Sequence, residues 1–120
     1  MIDISLEGNE SWADTTAMVP VMEANGVETA WLASHLFQRE PIARAAGMLA
    51  ASKSLRVSLM AMSPYTVHPV YAAMAAATLD EMFPGRVMLC LGVGAPRDLE
   101  AAGVEAQKPL STLRDAISVT

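Results

Sequence analysis

Apolar stretches recur roughly every 30 residues along the chain, and each is followed by a segment with helical spacing. Residues 2–6, Ile-Asp-Ile-Ser-Leu, alternate apolar and polar side chains and predict a short first strand. Ser11 or Asp14 can cap the helix that follows, which carries Ala17, Met18, Val21 and Met22 on one side and stops at Asn25-Gly26. Pro20 either kinks this helix or marks where its regular part starts. Residues 27–33 predict the second strand. Pro41 opens an alanine-rich helix running to about Lys53, and residues 55–62 predict the third strand. A third helix spans 69–82 behind Pro69, and after the turn Phe83-Pro84-Gly85 the fourth strand runs over 87–91. Asp98-Leu-Glu-Ala-Ala adds one helical turn ended by Gly103, and a last helix opens at Pro109 and is still in progress at Thr120.

Strand–helix alternation at this period predicts an α/β fold with a parallel sheet and right-handed crossovers. The near-continuous apolar third and fourth strands fit a sheet covered on both faces. Two architectures hold four such units, a small doubly wound sheet or half of a (β/α)8 barrel of about 250 residues. The last helix lacks a C-cap signal and no fifth strand follows, which favours the half barrel.

Composition narrows the setting. The chain of 120 residues is about half apolar, enough for one domain with a core. Its net charge of −5, with no basic cluster, argues against a nucleic-acid partner. No apolar run reaches the roughly 20 residues of a membrane span, and the N-terminus lacks the pattern of a signal peptide. The expectation is a cytoplasmic protein. The one cysteine, Cys90, lies in the apolar run 87–91 and reads as a small buried core residue. Nine methionines read as adaptable core filler.

Four loops follow the four strands and meet on one face, where α/β proteins keep their chemistry. They offer Glu7, Asn9 and Glu10; Ser34, His35, Gln38 and Arg39; Ser63, Tyr65, Thr66 and His68; and Gly92, Gly94, Arg97 and Asp98. His35 is either a proton donor and acceptor near neutral pH or a loop histidine bonded to backbone. His68, just before Pro69, reads as a capping residue. Tyr65 and Thr66 contact a ligand or make a turn. Gly92-Val-Gly94 lets backbone approach a ligand closely, but it is not the dinucleotide fingerprint. Two histidines 33 positions apart do not form a metal set. A receiver domain would need paired acids after the first strand, where Asp3 stands alone, and a lysine after a fifth.

The segments Glu23-Ala-Asn-Gly26, Ala30-Trp-Leu-Ala-Ser-His35, Pro41-Ile-Ala, Ser63-Pro-Tyr-Thr-Val-His-Pro69, Ala77-Thr-Leu-Asp-Glu81 and Pro84-Gly-Arg-Val-Met-Leu-Cys-Leu-Gly-Val-Gly94 cover nearly the whole chain. In this spacing they resemble the bacterial luciferase-like oxidoreductases. Within that family the resemblance is to the deazaflavin-dependent branch, the methylenetetrahydromethanopterin reductase-like proteins, which use coenzyme F420; other members use FMN. It implies a full (β/α)8 barrel, commonly dimeric, of which residues 1–120 match the N-terminal half. The chain is then a single partial barrel domain, truncated after the fourth strand and the start of its helix.

The resemblance also implies chemistry. Hydride transfer takes place at the ring of a bound deazaflavin or flavin, and reduced flavin members go on to monooxygenate a small-molecule substrate. His35 matches the histidine after the second strand, near the ring, and is the candidate catalytic residue. Ser34, Met60, Ala61, Ser63, Gly92 and Gly94 are the candidate cofactor-binding positions. Many relatives carry an acid before this histidine; Ser34 stands here, which weakens a carboxylate–histidine proton relay. The sugar-phosphate dehydrogenase branch has a glutamate directly after the Gly-x-Gly loop; Ala95 weighs against that chemistry. A non-prolyl cis peptide common in the family falls by spacing at Met60–Ala61, with Met60 where relatives usually have glycine. The implied partner is a second copy, as a homodimer, or a missing C-terminal half. The competing expectation is a non-catalytic remnant or self-assembling half-barrel module that binds no cofactor.

Overall fold

The computed structural model describes residues 1–120. Its elements run β1 (Ile2–Leu6), α1 (Trp12–Ala24), β2 (Val27–Ala33), α2 (Pro41–Ala51), β3 (Arg56–Met62), α3 (Pro69–Met82), β4 (Val87–Leu91), α4 (Pro96–Ala101) and α5 (Pro109–Val119). The helix starts follow local chemistry. Proline begins α2, α3, α4 and α5, where its missing N–H leaves no bond unmade. Ser11 caps α1 by accepting the Asp14 N–H at 3.0 Å, and Glu40 caps α2 by accepting those of Ile42 and Ala43. His68 caps α3, its Nδ1 accepting the Val70 N–H at 3.2 Å. α1 continues through Pro20, which lies on its exposed side, and ends at Asn25 with Gly26 at φ +76°.

All three strand pairs are parallel and the order is β1-β2-β3-β4. A doubly wound sheet reverses its strand order at one point. This sheet never does, so right-handed crossovers put every intervening helix on one side. The arrangement is the first half of a (β/α)8 barrel. β1 and β4 each pair on one side only, leaving two free edges.

Register sorts the side chains. Leu32 and Leu59 pair across β2 and β3, Leu59 with Leu89 of β4, and this row faces the helices together with Ala30, Val57 and Leu6. Val19 and Met22 of α1, Met48 and Leu49 of α2, and Ala72 and Leu79 of α3 close over it. The alternate row, Ser5, Trp31, Ser58 and Met88, points to the other face, where the Trp31 indole N–H donates to Asp3 at 3.2 Å.

Several sequence expectations need correction. The buried side of α1 is Thr15, Val19 and Met22; Ala17 and Val21 are exposed. Thr15 can face the core because its hydroxyl donates to the Ser11 carbonyl at 2.8 Å. β3 is buried over Val57–Leu59, but β4 is only half-buried, because helices cover one face and β4 is an edge. Cys90 shares the face of Met88 and is half-buried rather than core. α2 ends at Ala51, short of Lys53, and β3 starts at Arg56.

Two motif side chains are architectural. Glu23 accepts the N–H groups of Lys53 and Ser54 and the Ser54 hydroxyl, tying the end of α1 to the turn before β3. Arg86 donates to the carbonyls of Leu55, Leu49 and Ser52 and to the Ser52 hydroxyl, with its guanidinium 5.7 Å from the Phe83 ring centre. The first fixes the α1–α2 spacing; the second fixes where β4 enters beside β3.

Candidate functional site

The loops after β1, β2 and β4 converge at the C-terminal edge of the sheet and enclose a cavity of about 320 Å³. Its lining is Glu7, Ala33, Ser34, His35, Met60, Ala61, Gly94 and Ala95. Ala33 and Met60 are register partners, so adjacent strand ends contribute to one wall. The Met60–Ala61 peptide bond is cis, at the position expected.

His35 sits between two carboxylates. Its Nε2 lies 3.0 Å from Glu7 Oε2 and its Nδ1 3.2 Å from Asp98 Oδ2. Asp98, in the first turn of α4, also accepts the Leu36 N–H at 3.3 Å, which fixes the carboxylate against the loop carrying the ring. A carboxylate oxygen only accepts. Both ring nitrogens are therefore best satisfied as donors, and that is the imidazolium. The protonation midpoint of His35 is raised above the ordinary 6.5, first by the Asp98 hydrogen bond, against partial burial that lowers it, and further by Glu7.

The linkage has a definite sign. A raised folded-state midpoint stabilises the fold fully below the unfolded value of 6.5, and this contribution is lost as pH rises through the folded midpoint. The His35 side chain is 42% exposed, so solvent screens the effect. The urea stability of the wild type relative to His35→Gln is expected to be greater at about pH 5.5 than at about pH 8.5. An advantage that is flat or grows toward alkaline pH contradicts the charged-pair reading.

Of the sequence-derived site residues, Ser34, His35, Met60, Ala61 and Gly94 line the cavity; Ser63 and Gly92 do not. Ser63 is buried, donates to the Val93 carbonyl at 2.6 Å and accepts the Tyr65 N–H at 3.2 Å, so its hydroxyl is used within the loops. Gly92 faces Ala61: a Cβ added to it would lie 2.8 Å from the Ala61 Cβ. Gly94 has φ +98°, and an added Cβ would lie 3.1 Å from Ser63 Oγ. The two glycines thus let the loop after β4 close onto the end of β3. Thr66 bonds back to Ser63 and the Tyr65 hydroxyl donates to the Gln107 carbonyl, so both brace loops.

Glu7 and Asp98 were among the loop polar residues, but their convergence on His35 was not legible. Ser34 withholds a carboxylate at the neighbouring position, and Asp98 and Glu7 bring two from 63 and 28 residues away. A larger cavity of about 510 Å³ lies between α4 and the segment before α5, lined by Val93, Leu99, Val104 and neighbours. It holds no histidine, and its only ionisable side chains are Glu100 and Glu105, so size does not make it the site of proton chemistry.

The lining fits a planar heteroaromatic ring. Ala33, Ala61, Gly94 and Ala95 contribute only backbone and methyl groups to the lining, and His35, Glu7 and Ser34 contribute the polar groups. The volume is at the lower end of the roughly 300–1,000 Å³ usual for small-molecule sites, enough for a ring but not for a long cofactor tail.

The family described as luciferase-like monooxygenase matches residues 2–120. The chain is 25% identical over 101 residues to the 5,10-methylenetetrahydromethanopterin reductase of Archaeoglobus fulgidus, covering 84% of this chain and 30% of that protein. Its fold matches the coenzyme F420 dependent tetrahydromethanopterin reductase from Methanopyrus kandleri with a TM-score of 0.85 at 21% identity, over 96% of this chain and 37% of the other. It matches the oxygenating constituent of a 3,6-diketocamphane monooxygenase of Pseudomonas putida, solved with FMN, with a TM-score of 0.79 at 17% identity, over 98% and 38%. The chain thus spans about a third of the length of these relatives.

Proposed function

The chain belongs to the luciferase-like monooxygenase family, and from that membership we propose that it forms the ring-binding, proton-handling half of an oxidoreductase acting on a small molecule with coenzyme F420. FMN is the alternative, given the FMN-bound relative of the same fold. The observation that carries the reading is the cavity with its Glu7–His35–Asp98 array.

A bound deazaflavin or flavin supplies hydride transfer at its ring. The chain's own residues do the rest. Ala33, Met60, Ala61, Gly94 and Ala95 would pack on the ring, Ser34 would offer it a hydrogen bond, and Gly92 and Ser63 pack against Ala61 and Gly94 and hold them in place. His35 holds a proton on Nε2 at the cavity, with Asp98 orienting it through Nδ1 and Glu7 as the neighbouring acceptor. We take residues 1–120 as a single partial barrel domain. Its free β1 and β4 edges are completed either by a second copy or by a C-terminal half. The proposed setting is the cytoplasm, where an unpaired thiol such as Cys90 stays reduced.

Titration of the purified chain with F420 and, in parallel, FMN, followed by fluorescence, tests this. Saturable micromolar binding is expected, tighter for F420. Absence of binding of either at high protein concentration overturns it. That outcome would support a second reading, a non-catalytic assembly module, which the unpaired β1 and β4 edges favour.

A further inference from the structure

Glu10 and Arg44 touch neither the cavity nor His35, yet they are joined to both. Arg44 lies in α2, a helix with no other charged residue, and is 5% exposed. Its Nη2 donates to Glu10 Oε2 at 3.1 Å and to Thr15 Oγ1 at 3.4 Å. Glu10 turns both carboxylate oxygens back on its own loop. Oε1 accepts the Glu7 N–H at 3.0 Å and Oε2 the Gly8 N–H at 2.9 Å. The next loop locks on from the other side: the Arg39 N–H and Nη1 donate to the Gly8 carbonyl, and Nη1 also to that of Asn9. Gly8 takes φ +105°, and a Cβ there would lie 3.0 Å from the Gln38 Cβ.

We infer that Glu10 and Arg44 are positioning residues of the site: Arg44 anchors the Glu10 carboxylate, Glu10 holds the Glu7 and Gly8 amides, and so sets where the Glu7 carboxylate meets His35. This rests on the reading of His35 as the proton-holding group. Burying a guanidinium is costly, and here Nε and Nη1 are buried with no hydrogen-bond partner. Arg44 is therefore not a fully satisfied core group, and its paired donor is spent on the loop that carries Glu7. Burial alone would raise the Glu10 carboxyl; the N–H groups of Glu10 itself, Gly8 and Glu7, with the Arg44 charge, outweigh it and keep Glu10 ionised. The Glu7 side chain is 58% exposed and, apart from His35, is held only by the Ser5 hydroxyl at 3.3 Å, so its placement depends largely on its backbone.

The test is the ¹⁵N NMR titration of the His35 ring, with His68 the only other histidine. Removing the Arg44 charge would by itself raise the His35 midpoint, since a nearby cation disfavours the imidazolium. Loss of positioning lowers it, because His35 loses Glu7. Arg44→Met is expected to lower the midpoint, Arg44→Lys to restore part of the fall, and Glu10→Gln to lower it in the wild type but not in Glu7→Gln. A midpoint that rises or stays put in folded Arg44→Met overturns the inference. So does an equal fall for Glu10→Gln with and without Glu7, which is a through-space charge effect. Should Arg44→Met fail to fold, the Glu10→Gln pair decides. No cofactor enters the measurement, so failure of the F420 and FMN titration leaves it standing as a separate result.

Discussion

Leu59→Ala is expected to cost about 3 kcal/mol of stability, within the roughly 2–5 kcal/mol seen for buried leucine truncations. Leu59 is 0% exposed and pairs with both Leu32 and Leu89 in the row facing the helices. It sits in the middle of the sheet, in the row the helices cover, so the neighbours that could fill the space are themselves fixed by register. Domains of this size hold about 5–15 kcal/mol in total, so the loss is a large share. A urea midpoint lower by roughly 1–2 M is the readout. The contrast is Met88→Ala, on the same sheet but the opposite face and 39% exposed, where the cost is expected to stay below about 1 kcal/mol. Equal losses at the two positions would mean that the open face is also covered in solution.

That contrast marks where sequence reading stopped. The strands and the starts of α2, α3 and α5 were legible, because apolar runs bounded by proline and glycine carry strong local signals. Which face of β4 is buried was not. Val87-Met-Leu-Cys-Leu91 is apolar at every position, so alternation is silent, and only the register Leu59↔Leu89 puts Cys90 on the open side. In α1 the burial of Thr15 was hidden by its hydroxyl, which the fold satisfies locally through the Ser11 carbonyl. His35 was legible as a loop residue at a strand end, but its two carboxylates were not, since they arrive from different loops. Arg44 did leave a trace: it is the lone charge in the alanine-rich Pro41–Ala51 helix, and a charged side chain is almost never fully buried unless paired.

The second large effect separates the two cavities. Ala95→Trp is expected to weaken binding of the F420 or FMN ring about a hundredfold or more, roughly 2.7 kcal/mol. Ala95 lines the 320 Å³ cavity beside His35, is half-buried, and has φ −70° and ψ 125°, a backbone any residue adopts, so an indole there fills the space without straining the chain. Ala106→Trp is the counterpart in the 510 Å³ cavity, at an exposed position. It is expected to leave ring binding unchanged, because a ring held there would have no contact with the Glu7–His35–Asp98 array. Urea unfolding of both variants shows whether either loss comes from the fold. If Ala106→Trp abolishes binding and Ala95→Trp spares it, the ring belongs to the larger cavity and His35 is no longer its proton partner. Under the proposed function the smaller cavity is favoured over the larger because it alone borders a histidine set between two carboxylates, a group able to hold a proton beside a bound ring.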